Sequence, residues 1–356
     1  MSAERVLVAG NNVRNVVQSA FRAGYEVYAL TKFVDADLEL FAERVYHIEE
    51  DNPEWVGERV DSIAESINAK VVLTAGYEDL KVKSEVFGCE PGKLEDILNK
   101  NRFYRVLERN GLPFPEVKRR EEVEVGEEYI LKPVRGGGGE DIRMLDSTEG
   151  DYIVQRLIRG YPCSASVVVG REVTVIALNK IIAGWKEMNS SGFKYTGNIT
   201  PLSARTDVRR EVEKLAVEVC EIFDIQGSVG VDFIVEDGTE SVYILEINPR
   251  FHGSLDSIEW SSDTLLFRFH ALALERKKIE KPHFHRYAGR FIFFASDRFM
   301  VKKELTGNPF YADIPKRGYI YEKDDPIVSI LSSSSSEEEV VRLAIRRKDL
   351  FLNLQA

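Results

Sequence analysis

Lys132 ends the short strand-like run that starts at Tyr129, and Gly136-Gly137-Gly138-Gly139 begins four residues further on. A strand lysine ahead of a glycine loop can surround phosphate oxygens with an ammonium and several backbone N–H groups. The same four glycines also make a ligand-free hairpin tip, and the Walker pattern GxxxxGK[ST] is absent. A second cluster comprises Asp232 on one expected strand and Glu246 with Asn248 on the next, where alternation sends the latter two to one face. Three oxygen donors suit a hard cation such as Mg²⁺, although acids on strands are more often simply solvated. Pro249-Arg250 follows directly, and a fixed arginine beside a cation can stabilise charge on a transferring phosphoryl group. A third segment, Gln155-Arg156-Leu157-Ile158, can offer backbone hydrogen bonds and an apolar side chain to an adenine ring, or can be plain core.

Weaker candidates surround these. Phe193 to Asn198, with Tyr195 and Asn198, reads as a polar and aromatic loop suited to a second substrate, or as a surface connection. His252 and Ser254, just past Arg250, can contact substrate or merely cap and pack. Asp35 and Asp37 follow the second strand of the chain, at the sheet end where open α/β sheets hold ligands, yet such residues are commonly solvated.

Elements must hold these residues in place. Val6 to Ala9, Val13 to Phe21 and Tyr25 to Leu30 read as the start of a βαβ unit, and Val45 to Ile48 and Val71 to Thr74 as two further strands around a helix from Glu54 to Ile67. The first turn, Gly10-Asn11-Asn12-Val13, lacks the dinucleotide spacing GxGxxG. A helical stretch from Lys93 to Asn110 is stopped by Gly111, Pro113 and Pro115. Antiparallel strands follow at Tyr129 to Lys132, Ile153 to Gln155, Ser164 to Val169 and Glu172 to Ala177, then a helix from Asp207 to Phe223 and strands at Gly230 to Val235 and Val242 to Ile247. A helix from Thr264 to Glu275 precedes a β-rich tail from Gly289, in which Ser332 to Ser336 reads as a low-complexity loop before a last helix. The expected fold class is therefore α/β followed by α+β, divided as 1–92, 93–115, 116–160, 161–281 and 282–356.

Composition narrows the partners. A net charge of −11 over 356 residues, without a basic cluster, argues against nucleic acid. No run of eighteen apolar residues occurs, so no membrane span and a cytoplasmic location are expected. Cys89, Cys163 and Cys220 lie far apart and read as reduced, buried thiols.

Taken in order, Lys100, Lys132, the glycine loop 136–139, the hinge Gln155 to Ile158, and Asp232 with Glu246-Ile247-Asn248-Pro249-Arg250 resemble the ATP-grasp superfamily, over about Lys93 to Glu275. The resemblance implies an amino-terminal α/β domain, a glycine-loop lid and a larger α+β domain with ATP between the last two, and a β-rich extension like that of biotin carboxylase-like members. It implies phosphate contacts from Lys100 and Lys132, loop closure by Gly136 to Gly139, adenine at Gln155, Arg156, Leu157 and Ile158, and Mg²⁺ or Mn²⁺ at Asp232, Glu246 and Asn248. Arg250 matches the family arginine at the reacting centre. An acid that commonly holds ribose after the hinge has no evident counterpart in Gly160 to Ser164. The implied activity is a carboxylate-amine ligase acting on small molecules, with a homodimer possible. A bicarbonate-activating enzyme with a separate partner and a non-catalytic nucleotide sensor are the alternatives.

Overall fold

The computed structural model describes residues 3–356 apart from 125, 140, 148 and 149. Strands β1 (Arg5–Gly10), β2 (Glu26–Thr31), β3 (Arg44–His47) and β4 (Lys70–Leu73) form a parallel sheet of order β3-β2-β1-β4, connected through α1 (Arg14–Arg22) and α2 (Pro53–Ile67). Val6 and Val8 enter the core beneath α1, whereas Leu7 and Ala9 enter the one beneath α2. Both faces of β1 are covered, which is why its sequence is an unbroken apolar run and not an alternating one. A parallel sheet delivers all its carboxyl ends to one edge, so the loops after Gly10, Thr31, His47 and Leu73 gather there.

Two helices lead out of this domain, α3 (Glu95–Leu98) and α4 (Lys100–Arg109). Asn99 caps α4 by accepting the Arg102 N–H at 3.3 Å, and Gly111, at φ +68°, turns the chain away. A small antiparallel sheet of order β5-β8-β6-β7 follows, built from β5 (Val117–Lys118), β6 (Tyr129–Pro133), β7 (Arg143–Met144) and β8 (Tyr152–Arg156).

The remainder is one antiparallel sheet of eight strands with helices on its faces. In chain order its elements are β9 (Gly160–Val169), β10 (Val173–Ala183), β11 (Tyr195–Thr200), α5 (Thr206–Ile222), β12 (Gly227–Glu236), β13 (Val242–Asn248), α6 (Leu255–Ser262), α7 (Leu266–Leu274) and β14 (Tyr287–Phe294). There follow β15 (Phe299–Met300), β16 (Tyr311–Ala312), β17 (Ile320–Tyr321), β18 (Pro326–Ser334) and α8 (Glu337–Gln355), with β15 and β17 paired apart from the large sheet. The order is β13-β12-β9-β10-β11-β14-β18-β16, so the tail strands continue the sheet that carries Asp232 and Glu246. Cys163, Ala165 and Val167 of β9 pack with Val212 and Leu215 of α5, while Val168 faces α6 and α7. All three cysteines are buried and free. No helix among the described residues is long and apolar enough to cross a membrane.

Three expectations change. The Phe193 to Asn198 loop is in large part a strand, since Tyr195 to Thr200 lies inside the sheet between β10 and β14. Its polar residues are tolerated there because they bond to one another's neighbours: Asn198 donates to Ser257 Oγ at 3.1 Å and Thr200 to Asn179 Oδ1 at 2.7 Å. Ser332 to Ser334 continue β18, with the buried Ser332 hydroxyl donating to Val340 O at 2.9 Å, and only Ser336 acts as the cap of α8. Finally, α6 precedes the expected helix; Asp263, at φ +55°, ends it before α7 begins.

Candidate functional site

Two cavities lie against the carboxylate-bearing strands. The first, about 490 Å³, is the cleft between the small sheet and the large one, and it is bordered by Lys100, Lys132, Gly136 to Gly139, the Gln155 to Ile158 hinge, Asp232 and Glu246. Lys132 is 6% exposed, and its pKa is pushed down to about 8 by burial and by Lys100, against the opposing pull of Glu246 and Asp232. Lys100 donates to Gly136 O at 2.6 Å and stands 3.9 Å from Glu246, tying the start of the glycine loop to the acidic strand.

Gly136, Gly138 and Gly139 have φ of +112°, +70° and +73°. The loop docks on the large sheet, where Gly138 O accepts the Tyr195 N–H at 2.9 Å. A Cβ on Gly139 would lie 2.0 Å from Phe193 O. Gly139→Ala therefore has to lift the loop off the Phe193 backbone, with strain of about 1–3 kcal/mol; if the cleft takes ATP, as the sequence resemblance implies, the KM for ATP is expected to rise roughly tenfold or more in steady-state assays. An unchanged KM would show that the docked loop is not the working one.

The hinge is partly committed to structure. Gln155 turns inward and donates to Pro115 O at 3.0 Å, Arg156 pairs with Glu127 at 3.0 Å, and the Leu157 N–H is taken by Glu128 O at 2.8 Å. Leu157 and the buried Ile158 still border the cleft as apolar surface for a ring.

Asp232 and Glu246 are register partners on β12 and β13, with a ladder irregularity immediately after Asp232. Burial, and then the charge of Glu246, push the Asp232 carboxyl well above the usual carboxylate range. Two crowded acids with oxygen-only donors fit a hard divalent cation, which would relieve both effects. Asn248 donates to Asp232 Oδ2 at 3.1 Å, and its Oδ1 accepts from Arg250 at 3.1 Å while keeping a second lone pair. Arg250 is fixed by Asn248, by Phe251 O at 3.1 Å and by an ion pair with Glu78.

The second cavity, about 530 Å³, opens where the carboxyl edge of the parallel sheet meets the large sheet. Tyr195, Asn198, Arg250, His252 and Ser254 border it. It shares Gly138, Ile181, Tyr195, Asp232 and Glu246 with the first cavity, so the two are adjoining chambers. His252 Nδ1 bonds Ser254 Oγ at 2.6 Å, and Ser254 approaches Ser166 Oγ at 3.3 Å. Burial, with Arg250 nearby, pushes the His252 pKa down to about 3, so the ring is neutral. Burial likewise pushes the Tyr195 phenol up to about 12.

Behind the second chamber lies a buried ion network that the local sequence patterns did not reveal. Arg14, fully buried, contacts Asp256 at 2.6 Å, Asp313 at 3.0 Å and Asp37 at 3.8 Å. Arg290 contacts Asp313 at 2.6 Å and Asp256 at 3.3 Å. Burial opposes an ionised Asp313, but the two guanidinium groups outweigh it and hold the carboxyl well below its usual range. Asp37 is not solvated; it accepts the backbone N–H groups of Asp313 and Ile314 at 3.1 and 2.8 Å, clamping the tail to the first domain. Asp35, by contrast, borders the chamber.

Residues 97–254 match the ATP-grasp domain family model. An uncharacterized protein of Methanocaldococcus jannaschii is 28% identical, over 93% of this chain and 88% of that protein. Among solved structures, a biotin carboxylase of Campylobacter jejuni in complex with β-γ-ATP superposes with a TM-score of 0.77 at 12% identity, covering 96% of this chain and 90% of the other. The L-amino acid ligase of Bacillus licheniformis gives 0.71 at 16% identity, covering 98% of both. At such identities these likenesses show a shared fold.

Proposed function

We propose that this chain, which carries an ATP-grasp domain at residues 97–254, is an ATP-dependent ligase that activates a small carboxylic acid as its acyl phosphate for attack by an amine. The observation that carries this reading is the adjacency of the two chambers across Asp232, Glu246 and Tyr195, with Lys132 on one side and Arg250 on the other. A nucleotide in the first chamber and an acid in the second would meet at that wall.

Both reactants are anionic, so the principal work is to bring like charges together. Lys132 and Lys100 would hold phosphate oxygens in the first chamber, and Arg250, kept in place by Glu78 and Asn248, would compensate charge on the transferring group from the second. A carboxylate oxygen attacks the γ-phosphorus and ADP leaves; the neutral amine nitrogen then attacks the acyl carbon, phosphate leaves, and the proton lost from nitrogen departs with the phosphate. Asp232 and Glu246, with Asn248 beside them, would hold Mg²⁺, whose charge would neutralise phosphate oxygens. The docked loop at Gly138 would keep water from the acyl phosphate.

The test is an ADP-release screen of amino acids, small acids and amines with MgATP. Productive pairs are expected, with Glu246→Gln slower by on the order of 10²-fold, the usual effect of removing a group that compensates transition-state charge. Activity equal to wild type in Glu246→Gln would overturn the assignment. The likeness in fold to the L-amino acid ligase of Bacillus licheniformis supports the reading, and the same screen run with bicarbonate as the only acid separates it from a carboxylase.

A further inference from the structure

One carboxyl group on the wall of the second chamber has no cationic partner among the described residues. Arg14 and Arg290 face Asp37, Asp256 and Asp313, and each guanidinium is already engaged by those acids. Asp35 lies on the chamber wall itself, as Asp313 and Arg290 do, whereas Arg14, Asp37 and Asp256 stand behind it. Its side-chain hydrogen bond is a long one, from the Asn12 amide at 3.4 Å, and among the described residues no Lys, Arg or His nitrogen lies within 4.0 Å of it. Burial, then the charges of Asp313 and Asp37, raise its pKa well above the ordinary value. The two lysines on the chamber wall are spoken for, Lys32 by Asp51 and Lys316 by Glu39, both at 2.6 Å.

The rest of this end of the chamber is aromatic. The rings of Tyr319 and Tyr321 stand 4.7 Å apart, both border the cavity, and Asp35 is near enough to Tyr321 to raise the pKa of its phenol, after the larger effect of burial. Further along the same wall, Asn198 Oδ1 and His252 Nε2, on side chains 1% and 8% exposed, are among the buried polar atoms of the described residues that have no hydrogen-bond partner. A lone carboxylate beside aromatic faces is poorly suited to a metal ion, which asks for several oxygens. It is well suited to an ammonium group, which combines ion pairing and hydrogen bonding with attraction to a ring face.

We propose that the substrate of this chamber is a small molecule bearing an ammonium group, seated on Asp35 beside Tyr321, with Asn198 and His252 supplying polar contacts deeper in. This deepens, and rests on, the reading of the chamber as the seat of the non-nucleotide reactants. It assigns Asp35 the choice between amine-bearing molecules and neutral molecules of equal shape.

Calorimetric titration tests the proposal without requiring turnover. The wild-type protein, loaded with Mg²⁺ and a non-hydrolysable ATP analogue, is titrated with L-amino acids and α,ω-diamines, each beside the counterpart in which hydroxyl replaces the amine. Binders are expected among the ammonium compounds, with each hydroxyl counterpart weaker by about tenfold or more. Asp35→Asn should abolish that preference while leaving affinity for the ATP analogue and the melting temperature as in wild type. Retention of the preference in Asp35→Asn, equal binding of the hydroxyl counterparts, or no ammonium binder at all would each overturn the proposal. Selective amine binding with no ADP release under any mixture would instead preserve it and remove the ligase reading.

Discussion

Lys132→Met should leave a folded protein whose kcat/KM for ATP is lower by about 10²–10³-fold. The side chain lies at the end of a buried strand, where loss of solvent and the neighbouring Lys100 work against its charge. A polyphosphate reverses that balance by bringing negative oxygens to an ammonium that water no longer reaches. The direction with pH follows. In the free protein Lys132 gives up its proton near pH 8, and a bound polyphosphate raises that value; above pH 8, nucleotide binding should therefore take up a proton. Calorimetry in buffers of different ionisation enthalpy reads this uptake, which Lys132→Met should lose. The unfolded lysine keeps its ordinary pKa, so the buried charge opposes folding most at and below pH 8. Removing it should leave the nucleotide-free melting temperature no lower than in wild type. Unchanged ATP affinity in the variant would refute the role.

Arg14→Met is expected to be the most destabilising of the simple substitutions, by about 3–5 kcal/mol in denaturant unfolding at neutral pH. The guanidinium is wholly buried and holds three carboxylates from distant parts of the chain: Asp37 after β2, Asp256 in α6 and Asp313 after β16. Methionine restores the volume but strands those acids at close range, with Arg290 as the remaining cation of the network. Asp313 carries the sign. Its depressed pKa means that its stabilising contribution is complete above the ordinary carboxylate range and is lost as pH falls through and below it. The gap between variant and wild type should accordingly narrow in acid, where the stranded groups take up protons. A variant of wild-type stability at pH 7 would show that the network contributes nothing net.

Much of the architecture is written locally in the chain. Val6 to Ala9 announces a two-faced strand because each residue meets its own core, and Glu246-Ile247-Asn248 places two polar groups on one face by simple alternation. Lys132 and the glycine loop are legible for a similar reason, being neighbours in sequence and bordering one cleft. What escaped were associations across long separations. Glu78 fixes Arg250 over 172 residues, and Arg14 meets Asp256 over 242, with no periodicity to announce either. Phe193 to Asn198 reads as a loop because the segment is polar and aromatic, yet Tyr195 to Thr200 is a strand. Its place in the sheet depends on Asn179 and Ser257, polar partners supplied by other elements.

The wall common to the two chambers also fixes how their occupants must communicate. Gly138 belongs to the loop over one chamber and lines the other, and its carbonyl is latched to the backbone of Tyr195. Were a molecule packed against Gly138 from the second chamber to favour this loop position, the loop position would favour that molecule in turn. Reciprocity requires the two preferences to be equal in size. The Gly138–Tyr195 hydrogen bond thus places one backbone contact on the wall that both occupants would share.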